Sequence, residues 1–206
     1  MPSRPPALAA GSDNRRRCWW GASTPEYERY HDEEWGRPII DDRGIYERLT
    51  LEAFQSGLSW LTILRKRENF RAAFANFEIE AVARFGARDV KRLMSDAGIV
   101  RNRAKIDAAI ANARAAAELD GSLAHLVWLH APTGRRRAPR APEDLPATTP
   151  ESVALSKELK RRGFRFLGPT TVYATMQAAG IVNDHLAGCH VRGEVERERA
   201  GARRRL

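Results

Sequence analysis

His185 and Cys189, two residue types that bind transition metals, lie four positions apart in the segment V-N-D-H-L-A-G-C at 182–189. On a helix, residues at this spacing project from one face about one turn apart, which suits two ligands of one ion. Cys18 and His31 lie near the other end of the chain, and a loop would have to bring them together. The four residues would form a Cys₂His₂ site. Four protein ligands leave no open position, so a zinc ion bound there would be structural.

Spacing alone leaves this metal site open. Cys18 and Cys189 are the only two cysteines among 206 residues, and both are equally compatible with ordinary buried thiols. His125, His130 and His190 carry the same ligand atoms as the two histidines chosen above. A disulfide framework is excluded, because two cysteines form at most one bridge.

Residues 18–36 combine dense aromatic rings with charged side chains. Three of the five tryptophans fall in this stretch, and its aromatic members are Trp19, Trp20, Tyr27, Tyr30 and Trp35. Rings at this density either pack a core or surround a flat or cationic ligand. The interleaved charges keep the second interpretation open.

Glu52 is a carboxylate at a position where the pattern predicts core. It follows Leu49 by three residues and Ile45 by seven, on an otherwise apolar helix face. A carboxylate there is costly unless a partner, a metal or a ligand satisfies it. Trp60 follows the same helix and could bring a ring alongside. The alternative is a glutamate at the edge of the stripe that pairs with Arg48, four residues earlier.

The segment K-R-R-G-F-R-F-L-G-P-T-T-V-Y-A, residues 160–174, predicts a helix, a tight turn and a second helix. Pro169 suits the first helical position, and the N–H groups of Thr170 and Thr171 would then point out of the helix start. An anion such as a DNA phosphate binds at such a terminus. Four cations add positive charge beside it: Lys160, Arg161, Arg162 and Arg165. A simple turn between two core helices is the alternative.

The elements that must position these residues are helical almost throughout. Apolar residues recur at spacings of three and four over much of 45–119, which is the period of amphipathic helices. Thr149 and Pro150 open a further helix as its N-cap and first residue. No strand pattern and no internal repeat occurs, so we predict an all-α fold.

The ends of the chain differ in composition from the middle. Residues 1–16 lack an apolar period and are expected to form a disordered basic tail, and residues 191–206 a disordered charged tail. Residues 17–190 are predicted to form a single domain, interrupted by an Arg/Pro-rich surface loop at 131–150.

The charge balance points to a polyanionic partner. Lys+Arg minus Asp+Glu is 35 − 26 = +9, and a positive surface attracts nucleic-acid phosphates. An arginine-rich composition that decorates solvated faces is the alternative. No apolar run approaches the ~20 residues of a membrane span, and the N-terminus lacks the order of a secretory signal. The protein is therefore expected to be soluble and cytoplasmic.

Taken in order, the motifs of this chain resemble those of the Tag-type 3-methyladenine DNA glycosylases of bacteria. They run from about Arg17 to Cys189 and include R-C-x-W, Y-H-D-x-E-W-G, L-E-x-x-Q-x-G-L-S-W, R-G-F-(K/R)-F-(L/V)-G, M-Q-A-x-G and V-N-D-H-x-x-G-C. The resemblance implies a helix-hairpin-helix glycosylase fold in which one structural zinc ion joins the two ends of the domain. It also implies a monomeric, monofunctional enzyme that removes 3-methyladenine from double-stranded DNA.

The resemblance assigns roles to particular residues. The implied zinc ligands are Cys18, His31, His185 and Cys189. The implied catalytic residues are Glu52 and Tyr30, and the implied base-binding residues are Trp60 and, more loosely, Trp20, Tyr27 and Trp35. The implied DNA contacts of the hairpin are Gly163, Arg165, Gly168, Thr170 and Thr171.

Three features qualify the resemblance. Asn183 stands where most helix-hairpin-helix glycosylases carry a catalytic aspartate, a substitution that the Tag-type family shares. Phe166 replaces the usual first glycine of the hairpin. Residues 163–171 contain no lysine that could form a Schiff base, so strand cleavage is not expected.

Two other functions compete with this one. The tripeptide 31–33 spells the H-x-E of zinc deaminases, but the P-C-x-x-C that must follow is missing. A non-catalytic DNA-binding or damage-sensing module would use the same basic hairpin. Glu52 favours an enzyme, because a pure binding module has no reason to bury a carboxylate where DNA must approach.

Overall fold

A computed structural model describes residues 7–134 and 136–206, and within them the chain is mostly helical. The elements are β1 Leu8–Ala10, β2 Arg16–Cys18, α1 Pro25–Glu33, α2 Asp42–Gln55, α3 Trp60–Ala73, α4 Ile79–Ala83, α5 Ala87–Ser95, α6 Arg103–Ala117, α7 Leu123–Trp128, α8 Pro150–Arg161, α9 Pro169–Ala178 and α10 Arg192–Arg203. None of the described helices is both long and apolar enough to cross a membrane. The predicted helical fold is confirmed apart from one small strand pair.

Side-chain caps set the starts of the helices that carry the site. Thr24 accepts a hydrogen bond from the N–H of Tyr27 and opens α1. Ser59 accepts from the N–H of Thr62 and opens α3 directly at Trp60. The predicted cap Thr149 opens α8 in the same way, so local sequence chemistry fixes where these helices begin.

Contacts divide the chain into two compact units. The first unit holds the described residues up to Ile39, together with Ala131–Ala147 and Met176–Leu206. The second holds Ile40–His130 and Thr148–Thr175. Sequence periodicity gives the local elements and carries no information on which distant segments pack together, so this division could not be seen in advance.

In the first unit, β1 and β2 pair in antiparallel register, with Leu8 opposite Cys18. Leu8 also packs against a buried cluster that includes Leu186 and Val195. The prediction of a disordered tail at 1–16 is therefore wrong for the residues of β1 and β2, while residues 1–6 lie outside the described part of the chain. A strand of three residues is too short to show a period of two.

Helix α10 lies where residues 191–206 were predicted to be disordered, so that prediction is also wrong. Val195 is fully buried in the first unit, and Arg199 is 9% exposed. The Arg199 guanidinium donates to the carbonyl of Gly180 over 2.7 Å. The inner face of α10 thus combines a valine with an arginine that bonds backbone carbonyls, and such a face has no apolar stripe to detect.

The Arg/Pro-rich loop at 131–150 contains a short 3₁₀ helix at Pro142–Asp144 and ends where α8 begins at Pro150. It is tied to the segment that carries His185. The N–H of Ala187 donates to the carbonyl of Pro139 over 2.7 Å. Arg136 forms an ion pair of 3.3 Å with the buried Asp184.

The second unit has its own aromatic core between α2 and α3. The rings of Phe54 and Phe70 lie 4.8 Å apart, and those of Phe74 and Phe77 stack at 5.8 Å. Helix α8, a turn and the first part of α9 belong to this unit, in the helix–turn–helix order that the sequence predicts.

Candidate functional site

The four predicted metal ligands come together, buried, in the first unit. His31 Nε2 lies 3.2 Å from His185 Nδ1. Cys189 Sγ is 3.4 Å from the first nitrogen and 3.6 Å from the second, and Cys18 Sγ is 3.8 Å from the second. Bonds of about 2.0–2.3 Å to a tetrahedral ion give ligand separations of about 3.3–3.8 Å. The cluster therefore fits a tetrahedral metal ion.

The two histidines are oriented by hydrogen bonds on their outer nitrogens. His31 Nδ1 lies 2.8 Å from Asp32 Oδ1, and His185 Nε2 lies 2.9 Å from the carbonyl oxygen of Trp35. Each imidazole can donate its N–H outward and present the other nitrogen to the cluster. Asp32 is held in turn by the buried Arg17, whose Nη2 lies 2.6 Å from Oδ2. Neither supporting residue stands out in the sequence as part of a metal site.

The other three histidines are not part of the four-residue cluster. His190 Nε2 lies 3.1 Å from Asp32 Oδ1, so it joins the supporting network. His130 Nδ1 lies 3.2 Å from the carbonyl of Leu126 in the second unit. The structure thus separates ligand candidates that spacing alone could not.

Two glycines let the backbone approach the imidazoles. A Cβ at position 21 would lie 2.6 Å from the ring of His31, closer than any real side chain allows. Gly36 has φ +81°, and a Cβ there would lie 3.0 Å from His185 Nε2. Both glycines belong to the motif segment at 18–36, so part of that motif serves close packing around the ligands.

The cluster also perturbs its own proton equilibria. The hydrogen bond between the two cysteines lowers the pKa of Cys189 and raises that of Cys18, so Cys189 ionises first. Burial lowers the pKa of His185 below its ordinary value. A neutral imidazole and a ready thiolate are the forms that bind a metal.

Trp20 is the centre of the predicted aromatic group. Its ring centroid lies 5.6 Å from that of Tyr27, 6.2 Å from that of Tyr30 and 5.0 Å from that of Trp35. It also meets the imidazole of His31 edge-on at 5.2 Å, and Trp35 meets that of His185 at 4.7 Å. The aromatic group and the metal cluster therefore pack as one body within the first unit.

Glu52 is buried on α2 in the second unit, at 6% exposure. Burial raises the pKa of Glu52 to about 7, and the positive charge of Arg48 partly opposes this rise. The guanidinium of Arg48 lies 5.4 Å from the ring centroid of Trp60. Arg48 thus interacts with both Glu52 and Trp60. The sequence alternative of a pair between Arg48 and Glu52 includes only the first of these interactions.

Lys105 holds the turn between α2 and α3, and the sequence analysis did not single it out. Its buried ammonium group donates to the carbonyls of Phe54 and Ser56 over 2.9 and 2.7 Å. Those carbonyls lie at the end of α2, where a cation is favourable. The only signal in the sequence is a lysine directly before the buried Ile106 on an alanine-rich helix.

The predicted DNA-binding hairpin is a well-defined turn in the second unit. Asn112 holds both backbone groups of Arg165, donating to its carbonyl over 3.0 Å and accepting from its N–H over 2.7 Å. Ser156 donates to the carbonyl of Leu167 over 2.7 Å. The predicted contact residues Gly163, Arg165, Gly168 and Thr170 are exposed, and Thr171 is half-buried.

Asn183 has a structural role in the first unit. Its amide donates to the carbonyl of Arg192 over 3.1 Å and to Glu196 over 2.9 Å. These bonds tie the metal-ligand segment to α10.

Comparison with known proteins agrees with this arrangement. A family model described as methyladenine glycosylase matches residues 19–192. DNA-3-methyladenine glycosylase 1 of Escherichia coli K12 is 45% identical over 179 residues, which cover 84% of this chain and 95% of that protein. DNA-3-methyladenine glycosylase of Haemophilus influenzae is 41% identical over 181 residues, covering 84% of this chain and 96% of that protein.

Two solved structures of 3-methyladenine DNA glycosylases are also similar to this chain. A crystal structure of 3-methyladenine DNA glycosylase I superposes with a TM-score of 0.80 at 44% identity, covering 84% of this chain and 98% of that one. A structure describing 3-methyladenine recognition by the Staphylococcus aureus enzyme superposes with a TM-score of 0.79 at 37% identity, covering 84% and 94%. The chain belongs to the methyladenine glycosylase family.

Proposed function

We propose that this protein is a DNA glycosylase that hydrolyses the N-glycosidic bond of 3-methyladenine in alkylated double-stranded DNA. The observation that carries the proposal is Glu52, a carboxyl group buried on an apolar helix face in a chain of the methyladenine glycosylase family. The relatives named above are DNA-3-methyladenine glycosylases, which supports the same reaction.

The chemistry requires little acid catalysis. Methylation at N3 leaves the base with a positive charge, so the bond between N9 and C1′ of the sugar breaks with its electron pair moving to the base. A water molecule then adds to C1′ and releases its proton to solvent. The products are neutral 3-methyladenine and an abasic site. An asparagine in place of the usual aspartate at position 183 agrees with such a reaction.

The enzyme must instead extrude and recognise the base, at a cost of about a few kcal/mol for unstacking. In this proposal Trp60 stacks on the extruded base, and ionised Glu52 accepts hydrogen bonds from its edge. Tyr30 adds a polar contact, and Trp20, Tyr27 and Trp35 contribute aromatic surface that favours a cation. Unmodified adenine lacks the charge and has a stronger glycosidic bond, so it is left in place.

The hairpin at 163–171 is proposed to bind the DNA backbone, as in helix-hairpin-helix glycosylases. Its exposed backbone at the start of α9 and the neighbouring arginines suit phosphate contacts, made by Gly163, Arg165, Gly168, Thr170 and Thr171. The turn contains no lysine, so the enzyme is proposed to leave an abasic site without cutting the strand. It is proposed to act as a monomer.

The metal of the Cys/His cluster is proposed to be one zinc ion held by Cys18, His31, His185 and Cys189. Two thiolates and two imidazoles at tetrahedral separations are a donor set that zinc prefers. Because all four positions come from protein, the ion supplies a cross-link between distant parts of the chain and takes no part in the reaction.

The test is base release. The protein is incubated with DNA treated with dimethyl sulfate, and the freed bases are identified by chromatography. Release of 3-methyladenine with 7-methylguanine left in place is the expected result. Glu52→Gln and Trp60→Ala should lose most of this activity, whereas Glu80→Gln, an exposed carboxylate of the same unit, should retain it.

Two outcomes would contradict the proposal in different ways. A folded, metal-loaded protein that releases no base would favour the non-catalytic damage-binding module. Strand cleavage by the pure protein, trapped with borohydride, would contradict the monofunctional reaction.

A further inference from the structure

Phe166 is a large apolar side chain exposed to water in the middle of the hairpin turn. Among the described residues three large apolar side chains are exposed, and Phe166 is one of them at 48%. Its neighbours Phe164 and Leu167 are 3% and 7% exposed. These two neighbours anchor the turn, and the ring of Phe166 adds little to the core.

The backbone of Phe166 makes its exposure more informative. Its φ is +60°, in the left-handed region that side chains other than glycine avoid. The same turn has another residue with positive φ, at position 163, and that residue is a glycine with φ +90°. A glycine at 166 would relieve the strain and remove exposed apolar surface, so folding stability alone would not select a phenylalanine here.

The turn presents this ring on a fixed backbone. The side chain of Asn112 holds both backbone groups of the preceding residue, and Ser156 holds the carbonyl of the following one. Little ordering entropy would therefore be lost when a ligand meets the ring. Two exposed arginines, Arg162 and Arg165, lie just before it in sequence.

An exposed ring next to cations matches the chemistry of a nucleotide, which combines an apolar sugar and base with an anionic phosphate. A single ring is too small to anchor a protein interface, which buries about 800 Å² on each partner. We propose that Phe166 is a DNA-contacting residue, whose ring packs on the sugar and base of a nucleotide next to a phosphate bound by the hairpin. The proposal rests on the DNA-binding role proposed above for this hairpin.

The first experiment compares affinity with stability. Binding to a duplex oligonucleotide that carries one tetrahydrofuran abasic-site analogue is measured for the wild type and Phe166→Gly. The variant should bind about tenfold more weakly, as expected for loss of one ring contact. Its thermal midpoint should be equal to or higher than that of the wild type, because glycine relieves the left-handed strain. Leu129→Ala, which removes an exposed leucine elsewhere in the same unit, should change neither quantity.

The second experiment distinguishes a ring contact from a charge contact. The logarithm of the binding constant is measured against the logarithm of the salt concentration. Phe166→Gly should keep the wild-type slope, because it removes no phosphate contact. Arg165→Ala should lower the slope by about one.

Wild-type affinity in Phe166→Gly, or a clear loss of its thermal stability, would overturn the proposal, since either result assigns the ring a structural role or none. A wild type that fails to bind the duplex or to release 3-methyladenine would instead overturn the proposed function. The two failures are therefore distinguishable within the same set of measurements.

Discussion

At the scale of single residues, Glu52 links burial, ionisation and recognition. Its pKa of about 7 exceeds the ordinary value of 4.5, so the native state binds more protons than the unfolded state between these pH values. Stability therefore falls as pH rises through this window. The protein retains a group that weakens it at neutral pH, which is typical of residues kept for function.

Replacement of Glu52 by glutamine should remove this penalty. We expect Glu52→Gln to raise the free energy of unfolding by about 1 kcal/mol at pH 5.5 and by about 3 kcal/mol at pH 8.5, since the ordinary and raised pKa values set the difference. Urea titrations of both proteins at the two pH values measure it. A gain of the same size at both pH values would mean that burial does not perturb the carboxyl group.

The same group should control the pH dependence of activity. If the ionised form of Glu52 recognises the cationic base, kcat/KM rises with pH and levels off above about 7. Below that pH it should fall about tenfold per unit. The residual activity of Glu52→Gln should show no such dependence over pH 6–8. A wild-type profile without this step would assign recognition to another group.

Asp32 should tune the metal site through His31. Because its carboxylate fixes the orientation and tautomer of that imidazole, Asp32→Asn should weaken metal binding about 10- to 100-fold. Competition with a chromophoric chelator gives the affinity. Glu33→Gln, which changes the exposed carboxylate next in the chain, is the matched control and should leave the affinity unchanged.

Residue types and motifs point to the candidate site residues more readily than to the side chains that support them. The four ligands and Glu52 stand out by residue type and by motif, and the structure places the ligands together and buries the carboxyl group. Arg17 and Lys105 act through directions and distances between separate segments of the chain. No spacing rule encodes those contacts.

At the scale of elements, a helix or strand could be predicted from the sequence when the interactions that stabilise it leave a local sequence pattern. Helices with an apolar stripe or a capping side chain, such as α2 and α8, are visible in the sequence. Strand β1 is stabilised by ladder pairing, and α10 in part by the buried Arg199. Such interactions leave no hydrophobic period in the sequence, so neither β1 nor α10 was predicted.

The dependence of α10 on Arg199 can be measured. Its guanidinium donates to the carbonyls of Gly180 and Ile181, each over 2.7 Å, just after α9. Arg199→Ala leaves both carbonyls without these donors, and we expect a loss of about 2–4 kcal/mol in the free energy of unfolding. Arg197→Ala, an exposed arginine of the same helix, should cost less than about 0.5 kcal/mol. Chemical denaturation of both variants is the test, and equal losses would contradict the assignment.

At the scale of the whole molecule, the Cys/His cluster and Glu52 belong to different units. All four ligands lie in the first unit, and the core around Glu52 lies in the second. Removal of the metal with a strong chelator should therefore lower hydrogen-exchange protection in residues 16–35 and 180–199 before it affects 45–115. Mass spectrometry of exchanged peptides resolves the two regions. Uniform loss of protection would mean that the metal stabilises both units equally.

The order of the segments along the chain has a consequence for synthesis. Cys18 and His31 are translated about 150 residues before His185 and Cys189. At about 5–20 residues per second, Cys18 and His31 must wait on the order of ten seconds for their partners. The second unit, whose residues lie mostly in between, can begin to fold on the ribosome during that interval. A nascent chain of this protein thus carries two unpaired metal-binding residues, open to oxidation or to a stray ion, until His185 and Cys189 emerge.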